Sequence, residues 1–86
     1  MSTLLKLIYE LEDGRKSPPG IRMLELAKNL GVGATAVQDG LDLIRARLGA
    51  GAVVVNTSPG VPYYSLGKPY PEVTAAFSPP EHFSPL

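Results

Sequence analysis

Leu26-Ala27-Lys28-Asn29-Leu30-Gly31-Val32-Gly33-Ala34-Thr35-Ala36-Val37-Gln38-Asp39-Gly40-Leu41-Asp42-Leu43-Ile44 is the stretch that decides the fold. Val37, Leu41, Ile44 and then Leu48 fall at i, i+4, i+7 and i+11, the cleanest helical period in the chain. They predict a helix from Ala34 to about Leu48, with Thr35, Gln38, Asp39, Asp42 and Arg45 on the opposite side. Gly40 inside it costs about 1 kcal/mol against alanine, which predicts close contact with another backbone. Residues 21–30 repeat the pattern, with Met23 or Leu24, Leu26, Ala27 and Leu30 on one face and Gly31 as the stop.

Upstream, residues 2–13 read as an amphipathic helix. Leu4, Ile8 and Leu11 form its apolar face, flanked by Leu5 and Leu7, and Lys6, Glu10 and Glu12 face outward. Ser2 or Thr3 suits its N-cap, and Gly14 suits its end. Arg15-Lys16-Ser17-Pro18-Pro19-Gly20 is a break followed by a second start signal. Ser17 is the expected cap and Pro18 the expected first helical residue, where a missing N–H costs nothing.

Downstream, Gly49-Ala50-Gly51 breaks the third helix and the β-branched run at residues 52–55 reads as a strand. Pro59-Gly60 fits the centre of a type II turn. Residues 61–66 make a second strand, expected at the sheet edge because Pro62 cannot donate to a ladder. Tyr63 and Tyr64 should point to opposite faces, one inward and one outward. The predicted class is mainly α with a small β-hairpin, occupying residues 1–66. Residues 67–86 read as an irregular tail with five prolines and no regular structure beyond a turn of helix at residues 72–77. Tyr70, Val73, Phe77, Phe83 and Leu86 give that tail apolar anchors, so it should pack along the domain or against a partner.

Composition narrows the function. A single domain of 86 residues buries about 60–65% of its unfolded surface, an adequate but thin core. With no cysteine there is no disulfide, thiolate nucleophile or Cys-based zinc site, and one histidine cannot build a His-based metal site. No metal or cofactor is expected. The longest uncharged stretch, residues 48–67, carries two prolines and four glycines, so no membrane span is expected and the chain reads as cytoplasmic. Catalysis finds no foothold. His82 and Glu81 are neighbours in a Pro-rich stretch, and Gly31-Val32-Gly33-Ala34-Thr35 lacks the Lys-Ser/Thr ending and preceding strand of a phosphate loop.

Helix, helix, glycine turn, helix and hairpin is the order of a winged helix-turn-helix domain. The Leu26-Ala27, Leu30-Gly31-Val32 and Val37…Leu41 frame resembles the helix-turn-helix of winged-helix bacterial and phage regulators, including GntR-type ones, over about residues 3–66. In that frame Ala27 lets two helices cross closely and Gly31 makes the turn. The resemblance implies a small transcription regulator that binds double-stranded DNA, its third helix in the major groove. By position Gly33, Ala34, Thr35, Gln38, Asp39 and Asp42 would face DNA, with Gln38 suited to adenine and Thr35 to a phosphate or a thymine methyl. Arg15, Lys16, Arg22, Lys28 and Arg45 are the candidate phosphate contacts.

Two features pull the other way. Asp39 and Asp42 would repel phosphate, and no Lys or Arg lies between Gly49 and Gly67, where the wing should be. The formal charge of zero conceals a body, residues 14–66, with six cations against three anions, between an acidic first helix and an acidic tail. A dimer is expected, since one recognition helix reads too few base pairs, and the C-terminal tail is a candidate dimer contact. The alternative is a winged-helix module, or phage-type inhibitor, that binds a host protein instead of DNA.

Overall fold

A computed structural model of the chain describes residues 3–57 and 60–77. It is mainly helical: α1 (Thr3–Lys16), β1 (Ile21–Arg22), α2 (Met23–Leu30), α3 (Ala34–Leu48), a 3-10 turn (Ala50–Ala52), β2 (Val53–Asn56), β3 (Tyr63–Leu66) and α4 (Tyr70–Phe77). The strands form one antiparallel sheet in the order β1-β3-β2, with Ile21 opposite Tyr64 and Val53 opposite Leu66.

Apolar periodicity explains the core. Leu7, Ile8 and Leu11 of α1 are buried together with Leu26 of α2 and Val37, Leu41 and Ile44 of α3. Val53 and Leu66 close this cluster from the sheet, and Val73 closes it from α4. The helix α3 has the predicted bounds and the predicted inner face. Between α2 and α3, Gly31 adopts the left-handed conformation (φ 69°). Its N–H donates to the Lys28 carbonyl, and the Val32 N–H reaches back to Ala27 at 3.1 Å. This double bond pattern ends α2 sharply, and glycine takes the conformation without a Cβ clash.

Several expectations are corrected. The first helix does not stop at Gly14 but continues to Lys16. Gly14 is buried because the backbone of β3 lies against it. A Cβ there would sit 2.9 Å from the Tyr64 carbonyl oxygen, so the residue permits a close approach instead of ending a helix. Glu12 does not face outward freely; it is 8% exposed. Nor does α2 begin at Ser17-Pro18. Ile21 and Arg22 pair with Tyr64 and Tyr63 as a short strand, and α2 starts at Met23 after Arg22, which makes no side-chain cap. Sheet pairing overrides the local start signal.

The hairpin therefore belongs to a three-stranded sheet. Its second strand is central, not an edge, because Pro62 lies outside the ladder that begins at Tyr63. Tyr64 packs on the core, as one of the two tyrosines was expected to do. Gly40 meets a side chain, not a backbone: a Cβ would lie 2.6 Å from Leu7 Cδ2. The tail is not wholly irregular, since Tyr70–Phe77 is a helix. Pro71 sits in its first turn, where an amide N–H has no helical acceptor. Tyr70 and Phe77 pack against the core around buried Val73. The Ser2 cap, the Ser58-Pro59 part of the turn, and Glu81, His82, Phe83 and Leu86 lie outside the described residues. No helix among the described residues is long and apolar enough to cross a membrane.

Docking of α4 makes a direct prediction. Val73→Ala should lower unfolding free energy by about 1–3 kcal/mol through lost burial and the cavity left behind. Urea titration followed by circular dichroism measures this, and an unchanged midpoint would contradict the packing.

Candidate nucleic-acid interface

The outward face of α3 is assembled as the sequence requires. Burial of Val37, Leu41 and Ile44 turns Thr35, Gln38, Asp39 and Asp42 to solvent. Gly33 precedes the helix in an extended conformation and offers no side-chain cap, so the first N–H groups of α3 have no side-chain acceptor from it. Farther along, the Gln38 amide Nε2 donates to Asp42 Oδ1 at 3.1 Å, and Arg45 Nη1 lies 3.6 Å from the same oxygen. The helical spacings i,i+4 and i,i+3 bring these three together. Asp42 is thus partly neutralised within its own helix, while Asp39 has no ion pair among the described residues.

The candidate cations separate into distinct environments. Continuation of α1 to Lys16 puts Arg15 three residues and Lys16 four residues after Glu12. Arg15 Nε and Nη2 donate to the two Glu12 oxygens at 2.8 and 2.6 Å, and Lys16 Nζ stands 4.0 Å away. The Arg15 hydrogen bonds, with the nearby charges of Arg15 and Lys16, hold the Glu12 carboxyl below the usual glutamate range against partial desolvation. The same hydrogen bonding raises the Arg15 guanidinium above its ordinary value. Arg22, at the N-cap of α2, and Lys28, in its last turn, are exposed and have no salt bridge among the described residues. Of the seven candidate residues, Gln38 and Arg45 meet at Asp42 and Arg15 and Lys16 meet at Glu12, whereas Thr35, Arg22 and Lys28 make no side-chain hydrogen bond or salt bridge among the described residues.

Arg47 has a different task from its neighbour Arg45. Its Nη1 donates to the Ala76 carbonyl at 2.7 Å, and its guanidinium carbon lies 5.0 Å from the centre of the Phe77 ring. It satisfies a carbonyl in the last turn of α4 and fastens that helix to the end of α3. The β2–β3 hairpin presents apolar side chains where the expected wing would present cations: Val54, Val55 and Val61 are all exposed.

A groove of about 500 Å³ between α1, the end of α2 and α4 was not evident in the sequence. Leu5, Tyr9, Leu30 and Tyr70 supply its apolar lining, and Asn29 donates to Glu10 Oε1 at 3.0 Å on the rim. Its only trace in the sequence is the i,i+4 pair of Leu5, half-buried against the core, and exposed Tyr9 on α1. The described residues hold no cluster of His, Cys, Asp or Glu suited to a metal ion. In comparison with known proteins, no family model, curated sequence or solved structure matches this chain.

Two variants test these assignments. Because folding lowers the Glu12 pKa, its contribution is fully present above the unfolded glutamate range and is lost as pH falls through the lowered native value. Glu12→Gln should therefore reduce the melting temperature at neutral pH, and the gap from wild type should shrink on acidification. A gap independent of pH would refute the charge assignment. Arg47→Ala should cost about 1 kcal/mol in urea titrations, and an unaltered midpoint would show that its contacts with α4 contribute nothing.

Proposed function

We propose that the chain is a winged helix-turn-helix regulator that binds double-stranded DNA and places α3 in the major groove. The α2–Gly31–α3 unit carries the reading: a sharply capped helix crossing a second helix whose outward side bears Thr35 and Gln38. The element order and the β1-β3-β2 sheet support it, and in this reading the β2–β3 hairpin serves as the wing. The first turn of α3, uncapped by any side chain, suits a phosphate oxygen.

Within this reading the residues take unequal roles. Gln38 must exchange its Asp42 acceptor for an adenine edge, a bidentate contact that uses both ends of its amide. Thr35 contributes a hydroxyl and a methyl near the start of the helix. Arg22 and Lys28 are the principal phosphate contacts, because Arg15, Lys16 and Arg45 already face carboxylates. The regulator acts in the cytoplasm, as a dimer that doubles the length of DNA read.

A second reading draws on the solvent-facing side of α3, where Asp39 has no ion pair among the described residues, and on the uncharged hairpin. Both suit a protein partner with basic and apolar residues better than a polyanion.

Fluorescence titration of a labelled duplex at several salt concentrations separates the two readings. For DNA binding by the dimer, log K should fall with log salt at a slope of about −4, with Arg22→Gln and Lys28→Gln each removing about two units. The Thr35→Ala/Gln38→Ala pair should reduce discrimination between sequences by about 1–3 kcal/mol. A slope near zero, or no binding at low salt, would favour the protein partner.

A further inference from the structure

We infer that the free edge of β2 is a self-association surface, where the same strand of a second copy adds antiparallel to make a six-stranded sheet across a two-fold axis. The phase of the β2–β3 ladder identifies the groups involved. The Gly67 N–H donates to the Ala52 carbonyl at 2.8 Å, so Ala52 and Gly67 are a hydrogen-bonded pair. In an antiparallel ladder such pairs alternate. Val54–Ser65 and Asn56–Tyr63 share that phase, and Val53 and Val55 direct their N–H and C=O away from β3. Val53 is buried, at 4% exposure, whereas Val55 is 41% exposed. With β1 on the far side of β3, no described strand meets this edge.

Soluble proteins blunt such edges with lysine, proline or inward-pointing charge. Here β2 reads Val53-Val54-Val55-Asn56, and no charged residue occurs from Gly49 through Gly67. Its exposed side chains are the β-branched Val54 and Val55. The occupant is a second copy because of what a two-fold axis does to charge. Each residue then meets its own twin or a near neighbour of the same strand, so any charge would face a like charge at short range. An uncharged strand in a chain of zero formal charge is the composition that meets this condition at both short and long range.

Centred on Val55, the junction gives two N–H to C=O bonds between the Val55 residues and sets Val54 opposite Asn56 of the other copy. A four-residue strand buries less than the ~1,200 Å² of a standard interface, which makes the association weak and concentration-dependent. The inference does not rest on DNA binding. It gives the uncharged hairpin a role that contact with phosphate does not explain.

Sedimentation equilibrium of the full chain, from about 10 µM to about 1 mM, tests it. Wild type should show a reversible monomer–dimer equilibrium. Val55→Lys and Val55→Glu should each raise the dissociation constant about tenfold or more, with unchanged circular dichroism, and an equimolar mixture of the two should dimerise again. Amide exchange of wild type supplies a readout free of substitutions: protection of the Val55 N–H should grow with protein concentration. A wild type monomeric throughout, variants that associate as wild type does, a mixture that stays monomeric, or Val55 exchange independent of concentration would each overturn it.

Discussion

Burial of the apolar stripe on α1 is the constraint on which the other elements depend. Leu7, Ile8 and Leu11 lie within a single cluster that also takes residues from α2, α3, the sheet and α4. A chain of this size has one such cluster to organise, so the elements around it are coupled. Gly14 extends the same logic to the backbone. With no Cβ in the way, β3 can lie against the last turns of α1, and β3 in turn aligns both β1 and β2. A bulkier residue at that position would meet the Tyr64 carbonyl and separate the helix from the central strand.

The ionised groups follow from this packing. Since α1 runs on past Gly14, Arg15 and Lys16 come within reach of Glu12. Since α4 docks at the end of α3, Arg47 finds the Ala76 carbonyl and the Phe77 ring. A count of cations in the sequence treats all of them as available to a phosphate. The fold distributes them among local partners and leaves Arg22 and Lys28 as exposed members of the candidate set without salt bridges among the described residues. Exposed pairs such as Arg45–Asp42 are weak, about 0–1 kcal/mol, so a ligand can compete for them. The forked Arg15–Glu12 pair is the harder one to recruit, because both guanidinium contacts would have to break together.

What was legible in the sequence was whatever depends on local period and local conformation. The third helix and its inner face follow from Val37, Leu41, Ile44 and Leu48, and the turn follows from Gly31. What was not legible depends on distant partners. Ile21 is β-branched, but with Arg22 it is too short a run to mark a strand until Tyr63 and Tyr64 are placed beside them. The start signal at Ser17-Pro18 is sound local chemistry that sheet pairing overrides. Pro62 and Pro71 misled for a common reason: a proline restricts only the ladder or helix interior it enters, and both stand at a boundary. The candidate site divides in the same way. Exposure of Thr35 and Gln38 followed from periodicity, while their hydrogen-bond partners and the engagement of Arg15 and Arg47 required the tertiary arrangement.

The two acids on α3 and the uncharged hairpin are therefore separate features with separate causes. Asp42 belongs to a side-chain chain along its own helix, accepting from Gln38 and facing Arg45, and it orients both groups in the free protein. The hairpin's lack of charge is a property of a whole segment, and it coincides with the one strand of the sheet whose outer edge carries accessible valine. Positive charge placed on that strand would favour contact with a polyanion and oppose contact with itself. The sequence carries none there, and Arg22 and Lys28, the candidate cations without a salt bridge among the described residues, lie at the two ends of α2. Under the proposed reading this separates the work: α2 supplies the electrostatic hold, α3 the neutral hydrogen-bonding groups, and β2 the contact that brings two such units together.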